Sequence, residues 1–459
     1  MSAPVRVAAG VFAPGHLGEL TQVVDFDLVD AVIAETGTGQ RRVRLLPTRV
    51  VIYFVLALAL FEPLGYRLVW ARLVAGLGSL GLVTPSTAAL TRARQRVGAA
   101  PVRALFAALA GPVATPGQAC SAGVFWRGLR VVAIDATVLP VAAALARSGR
   151  FRVRGGRGPA GYPSLRLSVL IEAGTRALLG ATCGPGSGQS EGVQAQALVA
   201  ALGPGMLLLA DAGYHGEGFI RAVHARGAGL VCRSTANRRP LVARLLPDGS
   251  YLARLGAHRF PVRVIEAWIT VRLADGSTRR EQWRLLSTLL DAHRYPAAEL
   301  VRLYHRRWQV ETTYLSIKAS MLDGRVLRST QDDTLYQEVY GLLVVYQALI
   351  RTIADGAVLH PPIPPERWSF TIAWHTAIDQ VIHAAGVAGS QPVLASQIAT
   401  AVLTHPNPTR APRVKARSRK RSTSGYTINT GKHPQHSQRY TIDLEITYFT
   451  HGLTARPHR

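Results

Sequence analysis

Between residues 130 and 226 the chain alternates in a way that few folds can accommodate. Arg130–Leu139, Ser164–Glu172 and Ala177–Cys183 are apolar, β-branched runs separated by Gly- and Pro-rich turns, and each predicts a strand. Glu191–Leu202 predicts a helix, Met206–Ala210 a buried strand and Gly218–Arg226 a further helix. Three strands, a helix, a strand and a helix make an α/β layer.

Other patterns flank this layer. Residues 1–115 read as helical, with segments near Asp27–Glu35, Pro47–Phe61 and Tyr66–Leu77. Thr84-Pro85 reads as an N-cap followed by N1, opening a short helix crowded by Arg92, Arg94 and Arg96. Those arginines suit DNA contact, or simply the surface of a basic protein. Gly111–Gly123, rich in Gly, Pro and Ala, reads as a linker to a catalytic domain over 125–355. Within it, 237–284 reads as a β-rich insertion, with Asp248-Gly249 and Asp275-Gly276 as hairpin turns. An amphipathic helix is expected near Leu335–Ile353, and a small helical region over 366–405. From Arg410 onward the tail carries 11 Lys or Arg against 2 acids, concentrated in Arg413–Arg421. Residues 406–459 therefore read as a mobile basic tail, able to bind phosphates or simply to solubilise.

The formal net charge of +26 over 459 residues favours a polyanionic partner. Cys120, Cys183 and Cys232 lie far apart, without a C-x-x-C, which argues against a zinc ribbon or disulfide framework and fits a reducing compartment. The most apolar run, Val50–Phe61, is about 12 residues, short of the roughly 20 needed to span a bilayer. It reads as a buried core helix.

Only 27 acids are present, so their placement is informative. Asp135 closes the run Val131–Ile134, and Asp211 closes Leu207–Ala210. An acid at the end of a buried strand is costly unless partnered, and two together suggest a shared cation. Glu311 supplies a third from the stretch Leu300–Asp323, read as one helix. With Tyr304 at 0° and about 100° per residue, Arg307 falls near −60°, Glu311 near −20° and Lys318 near −40°. Leu303, Val310, Tyr314, Ile317 and Met321 form a buried seam beside them. The stripe suits a metal ion and a phosphate backbone, or else a solvated face with i,i+4 pairs.

Tyr304-x2-Arg307-x3-Glu311-x6-Lys318 resembles the YREK signature of bacterial insertion-sequence DDE transposases of the insertion-sequence-four family. Lys318 is one of only four lysines in the chain. The family's other motifs, a strand-end Asp and a second strand-end Asp followed by Gly and an aromatic, match Asp135 and Asp211 with Gly213 and Tyr214. After Asp135 the chain reads Ala-Thr-Val-Leu-Pro, where close relatives tend to have Gly and, a few residues on, another acid.

The resemblance implies an α/β ribonuclease-H-like core with a β-rich insertion, preceded by an all-helical DNA-binding domain and followed by the basic tail. It implies Asp135, Asp211 and Glu311 as catalytic, metal-holding residues for two Mg²⁺ ions, with Mn²⁺ able to replace them. Arg307 and Lys318 would grip DNA phosphates and Tyr304 would hydrogen-bond another. Trp308 could stack on a base or pack in the core. The implied activity is cleavage at the ends of a mobile element and joining of the 3′-hydroxyls to target DNA. Its alternatives are a catalytically inactive DNA-binding relative and a ribonuclease-H-like nuclease. The implied partner is double-stranded DNA, both element ends and target, bound by a dimer or higher assembly in the bacterial cytoplasm at the nucleoid. No membrane and no small-molecule substrate is expected.

Overall fold

The computed structural model describes residues 16–409 except 41, 43–44, 81, 83, 119–120, 152–161, 187–190, 236, 239, 361 and 384–395, together with segments 6–7, 10–11, 413–414 and 438–446. The first part is helical: α1 (Phe26–Glu35), α2 (Thr48–Leu60), α3 (Tyr66–Val74), α4 (Thr87–Val97) and α5 (Ala100–Leu109). Helix α2 is buried on nearly every side, so its unbroken apolar run is a core helix. Among the described residues no helix is long and apolar enough to cross a membrane. Helix α4 starts later than Thr84-Pro85 implies. Ser86 is its N-cap, and the Ser86 hydroxyl accepts from the Ala89 amide at 3.2 Å. A free hydroxyl oxygen at that position satisfies an otherwise unpaired helix amide.

The sheet is built from β1 (Leu129–Pro140), β2 (Ser164–Glu172), β3 (Leu178–Pro185), β4 (Met206–Ala210) and β5 (Gly229–Arg233). A short helix, Glu191–Ala195, and a 3₁₀ turn, Gln196–Ala201, lead into β4, and α6 (Glu217–Ala225) links β4 to β5. The spatial order is β3-β2-β1-β4-β5. Strands β2 and β3 run antiparallel on one side of β1, and β4 and β5 run parallel on the other. This order fits the expected ribonuclease-H-like core. Both faces are apolar, as parallel strands require: Val131, Ala133, Leu207 and Leu209 join the core shared with the N-terminal helices, while Val132, Ile134, Leu208 and Ala210 face a second core with α6.

The insertion extends this same sheet. Strand β6 (Tyr251–Leu255) pairs with the long hairpin of β7 (Phe260–Leu273) and β8 (Thr278–Ser287), and Leu285–Ser287 of β8 pair with β5. Both Asp-Gly turns occur where expected. Asp275 accepts from the Ser277 amide at 2.9 Å and Asp248 from the Ser250 amide at 3.3 Å, and Gly276 takes a left-handed φ of 81° that its lack of a Cβ permits.

The stretch expected as one helix is continuous but uneven. It comprises α7 (Ala297–Tyr304), a 3₁₀ turn (His305–Trp308), α8 (Gln309–Leu315) and a π-helical turn (Ser316–Met321). Overwinding followed by underwinding displaces Arg307 and Lys318 from an ideal wheel. Helix α9 (Asp332–Gly356) is less amphipathic than its pattern suggests. It packs against α2 and α5 and buries even Gln337, Glu338 and Gln347. Helices α10 (Phe370–His383) and α11 (Gln397–Thr404) follow.

The tail departs from expectation in two places, since Arg413–Val414 form a short strand antiparallel to the segment Gln438–Ile446. Residues Gln438–Ile446 form β9, antiparallel to β7 and added to the sheet edge. The exposed ladder of β7 offers backbone partners that a charge-based reading overlooks. Most of the basic run Arg413–Arg421 lies outside the described residues.

Candidate active site

The parallel register of β1 and β4 aligns Ala133 with Leu209. Two residues further along each chain come Asp135 and Asp211, the latter just past the end of β4 in extended backbone and near enough for its charge to act on Asp135. Asp135 is not at a strand end. Strand β1 continues to Pro140, paired with β2 through Asp135↔Val169, while β4 stops at Ala210. The apolar run ends where its neighbour ends, because beyond that point one side of β1 lies open. Period-two alternation puts both acids on the face of Ala133 and Leu209, the face covered by α7 and α8.

Asp135 accepts from its neighbour's amide, Ala136 N, at 2.8 Å. The Tyr314 hydroxyl donates to the Asp135 carbonyl at 2.6 Å and accepts from Val169 N at 3.2 Å, pinning α8 to the middle of β1. Asp211 caps the short turn Ala212–Tyr214, accepting from Gly213 N at 2.7 Å. Glu311 faces them from α8. The guanidinium of Arg307 lies between, with one nitrogen 3.6 Å from Asp135 Oδ2 and the other 3.6 Å from Glu311 Oε1. The pairing to Glu311 alone would be an ordinary i,i+4 contact. The pairing to Asp135 is not, since it joins the helix to the central strand.

Burial pushes the Asp135 carboxyl up to about 6, reinforced by Asp211 and Glu311 and opposed by the Ala136 amide and Arg307. Desolvation outweighs the neighbouring cation. A carboxyl near 6 is ionised less readily than an ordinary one and gains from a positive ligand. Among the described residues no group of three His, Cys, Asp or Glu is close enough to hold a metal ion as it stands. The donor chemistry nevertheless suits one. Carboxylate oxygens are hard ligands, and the cation seen between Asp135 and Glu311 is a guanidinium whose Nε is buried without a hydrogen-bond partner.

The family model for the N-terminal region of insertion element 4 transposases matches residues 14–107, and that for the transposase DDE domain matches residues 126–348. The chain belongs to the insertion element 4 family of DDE transposases. It is 29% identical over 346 residues to the transposase InsG of insertion sequence element IS4 from Escherichia coli strain K12, covering 72% of this chain and 75% of that one. Among solved structures, a piggyBac transposase synaptic complex with hairpin DNA aligns over 86% of this chain and 85% of its own, with a TM-score of 0.42 and 11% identity.

Several residues of this transposase sit differently from their sequence reading. Tyr304 is 4% exposed, and its hydroxyl donates to the Ala210 carbonyl at 3.0 Å instead of facing a phosphate. Its ring packs edge-on against Trp283. Tyr304 thus fixes the end of β4 from which Asp211 emerges. Arg94 is 2% exposed and hydrogen-bonds Gln337, Ser329, Tyr66 and the Thr334 carbonyl. It ties α4 to α9 and is no DNA contact. Its neighbours differ because the helix turns them outward: Arg92 is exposed, and Arg96 is exposed while donating to the Leu46 carbonyl at 2.8 Å. Trp308 is 46% exposed and so is not a core residue. Lys318 is half-buried, its ammonium pushed below its ordinary range by burial. It lines a cavity of about 1460 Å³ with Glu62, Tyr66, Tyr162, Arg325 and Arg328.

Near the acids, Glu191 escaped the sequence reading and Tyr214 was read only as part of a motif. Glu191 reaches Gly213 from the helix before β4, and Tyr214 turns back towards Asp135. Glu191 carries no motif of its own. Tyr214 was visible only as the aromatic after Asp211, with nothing to say where its hydroxyl points.

Proposed function

We propose that this transposase cleaves DNA at the ends of a mobile element and joins the freed 3′-hydroxyls to target DNA, with Asp135, Asp211 and Glu311 holding two Mg²⁺ ions. The observation that supports it most is the Arg307 guanidinium, 3.6 Å from both Asp135 and Glu311 beside the strand end that carries Asp211. A site that draws one cation between carboxylates from a strand and a helix has the charge and reach for others. When bound, a pair of divalent ions compensates charge on the attacking and leaving oxygens of an in-line displacement. Mn²⁺ supplies the same chemistry.

The side chains then divide the work. Asp135 and Asp211 hold the strand side and Glu311 the helix side. With the carboxylates holding divalent ions, Arg307 would be free to offer its guanidinium to a scissile-strand phosphate, a bidentate partner it suits. Lys318 approaches the same backbone from its cavity as a point charge. Arg92 and Arg96 of α4 supply sequence-independent contact to the duplex, and the net charge of +26 steers it in. We assign the protein to the bacterial cytoplasm at the nucleoid, acting as a dimer or higher assembly on paired ends.

The deciding experiment is Mg²⁺-dependent nicking of a duplex carrying the element's end. Glu311→Ala should lose nicking by roughly 10²–10³-fold, an order typical of removing a transition-state stabiliser, and still shift the duplex in a gel. Wild-type nicking by Glu311→Ala refutes the assignment. The inactive DNA-binding alternative draws on the absence, among the described residues, of a preformed metal cluster. It requires salt-sensitive binding without nicking by the wild-type chain. A nuclease would nick without strand transfer.

A further inference from the structure

Close to the three acids is a buried polar atom with nothing to bind. Tyr214 is fully buried, and its hydroxyl has no hydrogen-bond partner. Buried phenols normally find one. The charged groups that act on this hydroxyl most strongly are, in order, Asp135, Glu191 and Asp211. It therefore points into a space bounded mainly by carboxylates, with Arg166 the weakest of its charged neighbours, and a hydroxyl proton aimed there suits an oxygen acceptor.

Glu191 borders the same space. A methyl group at Gly213 would lie 3.0 Å from Asp211 Oδ1 and 3.0 Å from Glu191 Oε2. Those two oxygens are therefore no more than 6.0 Å apart, twice 3.0 Å, across a residue with no side chain. A Cβ at Gly192 would come within 3.6 Å of the Gly213 carbonyl, so the two backbones meet closely as well. Arg307 pairs with Asp135 and Glu311, and no described cation pairs with Asp211 or Glu191. Two neighbouring carboxylates, with a buried hydroxyl that no described group binds, present the hard oxygen donors that a divalent cation takes.

We infer that Glu191 is a fourth carboxylate of the centre, sharing with Asp211 one divalent cation beside Gly213, with the Tyr214 hydroxyl donating to an oxygen in that cation's shell. This rests on the two-cation reading and assigns one of the two ions a ligand that the three-acid motif omits. Closing the two oxygens onto an ion at about 2.1 Å from each needs only side-chain rotation. Gly213 is then required because any larger residue would put a Cβ between the ligands.

The test is Mn²⁺ binding to the full chain, followed by electron paramagnetic resonance titration with and without a duplex carrying the element's end. Glu191→Gln should weaken one Mn²⁺ by about 10–100-fold, with the gel shift on end DNA and the thermal midpoint unchanged. Glu191→Asp should recover part of the loss, and Gly213→Ala should reproduce it. If Glu191→Gln binds Mn²⁺ as the wild type does while Asp211→Asn loses it, the inference is overturned and the three-acid reading stands. If the wild type binds no Mn²⁺ under either condition, both are overturned.

Discussion

Replacing Arg94 by Met keeps the apolar stem of the side chain and removes its guanidinium. In the folded protein that group is 2% exposed and donates to Gln337 Oε1 at 2.9 Å, the Thr334 carbonyl at 3.2 Å, Ser329 Oγ at 3.3 Å and the Tyr66 hydroxyl. It also sits over the Tyr66 ring, 5.5 Å from its centroid. The acceptors do not suffer equally. The Thr334 carbonyl still lies 3.0 Å from the Ser329 hydroxyl, whose proton it shares with Glu338, whereas Gln337 Oε1, on a residue with no exposed surface, loses its guanidinium donor. A buried acceptor left unsatisfied costs about 1–3 kcal/mol, and a hydrogen bond from a charged donor contributes about 1.5–3 kcal/mol. Allowing for non-additivity, Arg94→Met should destabilise the fold by roughly 3–5 kcal/mol. Chemical denaturation measures this as a lower midpoint. Exposed Arg92 provides the contrast. Arg92→Ala should leave the midpoint within about 0.5 kcal/mol and, if it meets a phosphate, reduce the slope of log affinity against log salt by about 0.9. Arg94→Met should leave that slope alone. A slope change in Arg94→Met with an unchanged denaturation midpoint would refute the structural role argued for this residue.

Other perturbations probe the site. The Asp135 carboxyl titrates near 6 in the fold against 3.8 ordinarily, so the folded state holds a proton that the unfolded state releases between those values. Stability from this group is therefore full below about 4 and is lost as pH rises through 6, a total of roughly 2–3 kcal/mol. Asp135→Asn should thus be more stable than wild type at pH 7.5, with the gap closing towards pH 4; an equal gap at both would sink the argument. Tyr214→Phe removes a hydroxyl without a partner, so its denaturation midpoint should be unchanged or higher, by up to about 1–3 kcal/mol; a clear loss would mean that the hydroxyl is satisfied in the free protein. Tyr304→Phe takes the donor from the Ala210 carbonyl and should cost about 1 kcal/mol while leaving the salt slope intact, whereas a phosphate ligand would show the reverse.

What the chain order alone determined was everything that depends on local period or spacing. Ser164–Glu172 and Met206–Ala210 form strands with the expected bounds, because short apolar runs bounded by turn residues suit a buried strand and are too short for a typical helix. The two Asp-Gly turns follow from Gly tolerating a left-handed φ, and the spacing of Tyr304, Arg307, Glu311 and Lys318 identified the family before any coordinates. Burial and mutual distance belong to tertiary structure. Arg92, Arg94 and Arg96 are alike in sequence, and only the packing of α4 on α9 sends one inward to Gln337 and leaves its neighbours outside. Tyr304 looks like a ligand on a helical wheel, yet the end of β4 lies within reach of its hydroxyl and takes it. Glu191 precedes Asp211 by twenty positions with no motif to link them. They meet at Gly213 because the strand returns beneath the helix that carries Glu191, and electrostatic energy depends on that separation in space, which position along the chain does not encode.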